Sequence, residues 1–167
     1  MNSGSAAISD CGLYRYRLTR DWNGPARSAL FIMLNPSTAD ADKDDATIRR
    51  CTFFARREGC GRLVVVNLFS LRATDPKELR THEDPEGPSC DGFLYEEVQS
   101  HRGHGGLIIA AWGADPFARR RAEYVSNHIG PVQCLGLTKA GAPKHPLYFP
   151  NNAPVVPYAG KSLRRSS

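Results

Sequence analysis

The sequence predicts a three-layer α/β/α sandwich built on a mostly parallel, four-stranded core sheet. Three observations carry that expectation. Four apolar runs of strand length, 29–34, 63–68, 107–111 and 132–137, are separated by segments whose apolar positions recur at helical spacing. Strands that alternate with helices form parallel sheets covered on both faces, and right-handed crossovers leave few topologies open. Each run also stops at a polar or glycine-rich group: Asn35-Pro36-Ser37, Asn67, Trp112-Gly113 and residues 138–145.

Residues 13–18 alternate in strand fashion and suit an antiparallel edge strand added to the core, with 21–26 as a turn. The first core strand, 29–34, runs into the Asn35 loop. Asp44 or Asp45 is placed to cap a helix whose apolar positions Ile48, Cys51 and Ala55 share a face, and Gly59 and Gly61 end it. After the second strand, a loop rich in Thr, Asp, Pro and Glu spans 72–88 and leads to a helix over about 90–100, broken by 103–106. A further helix over about 115–129 carries Ala118, Ala122, Val125 and Ile129 on one face, and precedes the fourth strand. The stretch from Pro150 onward, rich in Pro, Asn, Ser and Arg, is expected to be a loosely ordered tail behind a core of about 11–150.

A chain of 167 residues suits a single domain, since domains commonly run to roughly 100 to 200 residues. The hydrophobic fraction of 41% and charged fraction of 23% are those of an ordinary globular protein. No apolar run approaches the roughly 18 residues of a membrane span, so no membrane partner is expected. The first ten residues lack a basic start and an apolar stretch, so the expected location is the cytoplasm. Five cysteines, Cys11, Cys51, Cys60, Cys90 and Cys134, are odd in number and contain no C-x-x-C pair. Reduced thiols are expected, with no metal site and no cofactor. The net charge of +5 gives mild support for an anionic ligand, although Lys161, Arg164 and Arg165 of the tail supply part of it.

Open α/β sheets bind ligands beyond the carboxyl ends of their strands. The segment from Leu34 to Asp40 follows an apolar run at that position and brings an amide, two hydroxyls and a carboxylate. Pro36 removes a backbone donor and biases Asn35 away from the α region, which fixes the turn. An Asx or Ser/Thr turn that merely feeds the next helix explains the segment equally well taken alone. Four such groups on parallel strands, however, gather at one sheet edge and form one crevice with amides, a histidine and an aromatic face. That inventory suits a planar heterocycle, with a ring stacked on it and an Asn offering a donor and an acceptor to its edge. His145 is placed to stabilise charge that develops on it.

Other polar groups fit blander roles. Asp40, Asp42 and Asp44 share the opening spacing of a calcium loop, but Asp45 stands where Gly is needed and Cys51 where Glu belongs. Carboxylates before a helix favour its dipole and cap its amides. A Mg²⁺ site at Asp40 and Asp45 is the minor alternative, and Asp40 is near enough to Asn35 to serve as a base in the same pocket. His101 and His104 flank a glycine-rich turn and are expected to be inert and solvent-exposed. Arg119, Arg120 and Arg121 splay around a helix as a solvated face. Trp112 is divided evenly between core packing and a site role.

The spans LNPSTADADKDDATIRRC, VVVNLFSLRATDP, AAWG and GAPKHPLY resemble an uncharacterised bacterial family, a domain of unknown function, over nearly the whole chain. That resemblance implies no established activity. More remotely, the order of the motifs is similar to that of the uracil-DNA glycosylase superfamily, which implies a uracil-DNA glycosylase-like fold. In that superfamily the first motif positions the attacking water, an Asn at the second strand reads the base edge and a late His stabilises the leaving base. Matched motif by motif, the resemblance assigns these roles to Asn35, Asn67 and His145. It offers Phe69, Trp112 or Tyr148 as the ring that stacks on the base and Leu147 as the wedge into a duplex. Ser37, Gly113 and Lys144 complete the expected ligand-binding set. The segment Lys144-His145-Pro146-Leu147-Tyr148 lacks the small residue that usually precedes the wedge, and the acidic run 40–45 is foreign to the glycosylase motif.

Two function classes follow. One is a hydrolase of N-glycosidic bonds acting on a nucleobase in DNA or in a nucleotide, with Asn35, Asp40 and His145 as the catalytic candidates. The other is a non-catalytic module that binds a nucleotide, modified base or nucleic acid in the same crevice.

Overall fold

The structure is a computed structural model and describes residues 2–160. It is a mixed α/β fold around one seven-stranded sheet. In chain order the elements are β1 (Ser3–Ile8), β2 (Arg15–Asp21), β3 (Ser28–Met33), α1 (Ala46–Arg57), β4 (Arg62–Asn67), α2 (Glu78–Thr81), α3 (Cys90–Gly103), β5 (Leu107–Ala110), α4 (Arg119–Ile129), β6 (Val132–Cys134) and β7 (Val156–Tyr158). The strands lie in the order β1-β2-β4-β3-β5-β6-β7. The pairs β4–β3, β3–β5 and β5–β6 are parallel, and β1, β2 and β7 pair antiparallel at the two sides.

The sheet is therefore larger than the four strands expected. The segment at 13–18 does form a strand, shifted to Arg15–Asp21, but it is not an edge, because β1 covers it. The sequence of β1, Ser-Gly-Ser-Ala-Ala-Ile, is small and mostly exposed, so it joins the sheet through its backbone with no apolar alternation to announce it. At the other side, part of the stretch expected to be loosely ordered forms β7 against β6. Lys161, Arg164 and Arg165 lie outside the described residues.

The alternation of side chains along β3, β4 and β5 feeds two apolar clusters. Ala29, Phe31, Met33, Leu63, Val65 and Ile109 pack with Ile48, Cys51, Phe54 and Ala55 of α1 on one face. Leu30, Ile32, Val64, Val66 and Ile108 pack with Leu94 and Val98 of α3 and Val125 and Ile129 of α4 on the other. From β3 the chain crosses under α1 to β4 on one side, and from β5 under α4 to β6 on the other. The crossovers diverge at the carboxyl ends of β3 and β5, the place where α/β sheets open a crevice.

Two helical residues read as solvated or inert are buried. Arg121, on α4, donates through Nε to the Leu68 carbonyl at 2.9 Å and pairs with Asp91 of α3, which ties both helices to the end of β4. His101 belongs to α3 and not to a loop. One ring nitrogen contacts Ser28 Oγ at 2.9 Å and the other meets the Glu97 carbonyl at 2.8 Å. In both cases the buried polar group is matched by polar partners, the backbone beyond β4 and Asp91 for Arg121, and the Ser28 hydroxyl and the Glu97 carbonyl for His101.

Phe54 seats α1, and hence the loop before it, on the sheet. It is almost wholly buried, with the Arg50 and Arg57 guanidiniums 4.7 and 4.9 Å from its ring centroid. Phe54→Ala should lower unfolding free energy by about 3–5 kcal/mol. Urea denaturation checks this, and a loss below about 1 kcal/mol would show that α1 is anchored elsewhere.

Candidate functional site

A cleft of about 460 Å³ opens where the ends of β3, β4 and β5 meet the start of α1. Its size suits a small planar ligand, since such pockets run from roughly 300 to 1,000 Å³. Asn35, Ser37, Asn67, Trp112, Gly113, His145, Leu147 and Tyr148 all line it. The parallel pairing accounts for this meeting: Met33 faces Asn67 across the β3–β4 register, and the Ala111 amide bonds to the Ile32 carbonyl beyond β5.

Asn35 sits two residues past β3 with its amide held. Nδ2 donates to the carbonyls of Pro36 and Ala73, both at 2.9 Å. Two carbonyl oxygens accept only from the nitrogen, so the orientation is settled and Oδ1 is the acceptor that remains. The Ala73 amide also donates to the Pro36 carbonyl, which stitches the 73–76 loop to the Asn35 turn.

Asn67, the last residue of β4, is 2% exposed, and neither Oδ1 nor Nδ2 has a hydrogen-bond partner among the described residues. Leaving buried polar atoms unpaired costs about 1–3 kcal/mol per group, so this amide is a liability to the empty fold. A ligand edge with adjacent donor and acceptor would satisfy both atoms.

Arg15 and Asp45 join the site without having been expected there. Asp45 caps α1, its Oδ1 accepting from the Ile48 amide at 2.9 Å. Arg15 is 2% exposed. One terminal nitrogen donates to the Ala39 carbonyl at 2.7 Å, while Nε has no partner. Burial pulls its pKa down to about 10, with Asp45 and Asp40 opposing that shift and Arg72 and Arg20 adding to it. The guanidinium remains charged at neutral pH.

A β-bulge aims Arg15 at the cleft. Ala7 of β1 faces Arg17 and the next residue, Ile8, faces Arg15, so Tyr16 is the extra residue. Tyr16 stacks on Phe93 of α3 at 5.2 Å, and the Arg17 guanidinium lies over the same ring at 5.3 Å. Two successive side chains thus point to the α3 face, and Arg15 turns to the α1 face that bears the cleft. The signal in the sequence was a pair of arginines, Arg15 and Arg17, within an alternating run, and only the bulge separates their faces.

His145 caps the 3₁₀ turn Pro146–Tyr148, with Nδ1 accepting from the Leu147 amide at 3.2 Å. That bond places the proton of the neutral ring on Nε2. Burial lowers the His145 pKa from its ordinary 6.5, against a smaller upward pull from Asp45. The ring is a neutral Nε2–H donor at pH 7. Beyond it Leu147 and Tyr148 are 45% and 78% exposed, which puts two large apolar side chains at the cleft's rim. Trp112 is buried and meets Tyr158 edge-on, and it also lines the cleft. Gly113, at φ +79°, donates its amide to the Pro143 carbonyl at 2.8 Å and binds the 138–143 loop to the end of β5.

Three expected residues are not among those lining the cleft. Phe69 is a core residue stacked on Phe117 at 5.3 Å, because it follows the end of β4 on the opposite face from Asn67. Lys144 reaches over Phe149, its Nζ 5.5 Å from the ring centroid. Asp40 is occupied locally, Oδ1 accepting the amides of Asp42 and Lys43 at 3.0 and 2.9 Å, and these bonds hold its pKa below the usual value. The 40–45 run also turns outward through Arg20, which pairs with Asp44 at 2.7 Å.

Among known proteins, a family model described as a protein of unknown function, DUF1643, matches residues 15–147. No curated protein and no solved structure matches the chain.

The His145 and His101 pKa values both lie below 6.5, chiefly through burial. A depressed histidine pKa means that the unfolded chain takes up the proton first. The stability these two groups protect is complete above about pH 6.5 and is lost as the pH falls through their folded values. His145→Asn keeps an acceptor for the Leu147 amide and should flatten part of that acid slope, leaving the share of His101. Unfolding curves across the pH range check this; a slope identical to that of the parent would count against a desolvated His145.

Proposed function

We propose that this chain, which belongs to the DUF1643 family, hydrolyses the N-glycosidic bond of a nucleobase carried by a nucleotide or by DNA. The observation that carries the reading is the Asn67 amide, buried with donor and acceptor both unpaired, on the wall of a cleft that also holds Asn35 and a neutral His145. Each group has a distinct task. Asn67 pairs with the edge of the base, and Trp112 or Tyr148 covers a ring face. Asn35 Oδ1 accepts a hydrogen bond from a water and turns the water's lone pair toward the sugar carbon.

As the carbon–nitrogen bond breaks, its electron pair stays on the base and positive charge spreads over the sugar. The His145 Nε2–H donates a hydrogen bond to the negative base, which stabilises the transition state without transferring a proton. The water adds to the sugar carbon and gives up its proton to Asp45 or to solvent. Asp45 thereby takes the place that the sequence offered to Asp40. A uracil-DNA glycosylase-like arrangement of the sheet is part of this proposal, supported by the order of the Asn, Asn and His motifs along the strand ends. Leu147 and Tyr148 at the rim favour a polymeric substrate, whose neighbouring bases they would contact.

One observation favours the non-catalytic alternative. Asn35 is not a base, and one Asp45 oxygen is committed to the helix cap. A module that binds a base without cleaving it needs only Asn67, the stacking ring and His145.

Mass spectrometry of base release separates the two. The panel comprises single- and double-stranded oligonucleotides carrying uracil, hypoxanthine, xanthine or alkylated bases, together with free nucleotides. Hydrolysis predicts release that Asn35→Ala and His145→Ala each slow by roughly 10²- to 10⁴-fold. No release, with thermal stabilisation by a base or oligonucleotide that Asn67→Ala abolishes, would replace the hydrolase with the binding module.

A further inference from the structure

We propose that Arg15 is the fixed positive charge that faces the ligand in the cleft, and that the negative charge it meets is the one that collects on the base as it leaves. This rests on the hydrolase reading and adds to it a catalytic residue that the motif resemblance does not supply.

The case begins with hydrogen bonding. Arg15 carries five donors, and its bond to the Ala39 carbonyl accounts for one. Nε is buried without a partner, and Asp45 and Asp40 attract the guanidinium from beyond ion-pair distance. A buried arginine held only to fasten a loop would be paired through more of its fork, since an uncompensated charge inside a protein is strongly destabilising. A bulge in β2 nevertheless turns this side chain onto the cleft face. Arg15, with Nε free, and Asn67, with its amide free, share the wall of one cleft, and one ligand would satisfy both.

The surroundings select the kind of anion. Met33, Val65 and Ile48 line the same cleft, and their apolar surface disfavours a compact, strongly hydrated phosphate. A guanidinium is planar and weakly hydrated, which matches an anion whose charge is spread over a flat ring. Breaking the glycosidic bond makes such an anion from a neutral base. Arg15 stays protonated throughout, so it gives no proton to the base; it lowers the energy of the charge, while His145 supplies the directed hydrogen bond. Asp45 and Asp40 offset part of the positive field, and Arg72 and Arg20 reinforce it.

The test reads binding, so it does not depend on turnover. Calorimetric titrations of the full chain with free xanthine and free 5-fluorouracil, bases that ionise well below the Arg15 pKa of about 10, are made on both sides of each base's own ionisation. Adenine and inorganic phosphate are titrated beside them. The ionised bases should bind on the order of tenfold or more tightly than their neutral forms, a preference equivalent to a shift of about one pKa unit in the bound base. Arg15→Gln should abolish that preference, and Arg15→Lys should keep part of it. Thermal melts without ligand establish that each variant is folded, and the preference in the parent protein needs no variant at all.

Equal affinity for neutral and ionised base in the parent would overturn the proposal, as would inorganic phosphate binding through Arg15 in place of the base. Base release by Arg15→Gln at the parental rate would remove Arg15 from catalysis while leaving the hydrolase reading intact. No binding of any base, together with no release, would remove both.

Discussion

The parallel register of β3 between β4 and β5 is the constraint on which the rest of the structure depends. It brings the carboxyl ends of three buried strands to one edge, and it places Met33 beside Asn67 and Ala111 beside Ile32. Every strand must give way there to a polar segment, because a backbone leaving the sheet needs turns and accessible hydrogen-bonding groups. The Asn35 turn, Asn67 and the Trp112-Gly113 pair are those departures. Diverging crossovers keep helices from filling the space between them.

The polar groups around that opening differ in how fully the protein satisfies them. Asn35 has both amide hydrogens committed to carbonyls, His145 has one ring nitrogen committed to an amide, and Asp45 has one oxygen committed to the cap of α1. Each is thereby oriented with one atom to offer. Asn67 and Arg15 are buried with polar atoms that have no partner among the described residues. Stability alone does not account for these two, since each unpaired buried group opposes folding. The oriented groups and the unsatisfied ones line the same cleft, and that coincidence is the physical basis for regarding it as a site.

Burial then sets charge. In water, arginine and aspartate would be screened and histidine would be partly protonated at slightly acid pH. Within the cleft, desolvation keeps His145 neutral and leaves Arg15 as a cation with attenuated solvent screening. The positive charge in the cleft is therefore permanent at neutral pH, while the neutral histidine presents a hydrogen-bond donor.

The sequence by itself determined the elements whose signal is local. Apolar runs at 29–34, 63–68 and 107–111 located the central strands, helical spacing of Ile48, Cys51 and Ala55 located α1, and groups at the strand ends named six of the residues that line the cleft, to which the motif resemblance added Leu147 and Tyr148. Those signals are legible because a buried strand and an amphipathic helix impose their own periods on the chain. Only the tertiary structure decided the rest. Strand β1 carries only small, mostly exposed side chains and β7 is three residues long, so both join the sheet through backbone pairing, β1 with the next strand in the chain and β7 with one well before it. That Asp45 lines the cleft and Asp40 does not, and that Phe69 packs on the other face, turn on which side of the departing chain faces α1. Arg15 was hidden most completely: a single bulge at Tyr16 changes its face, and its burial comes from β3, β4 and the loop at Ala39, none of which its own neighbours in the sequence foretell.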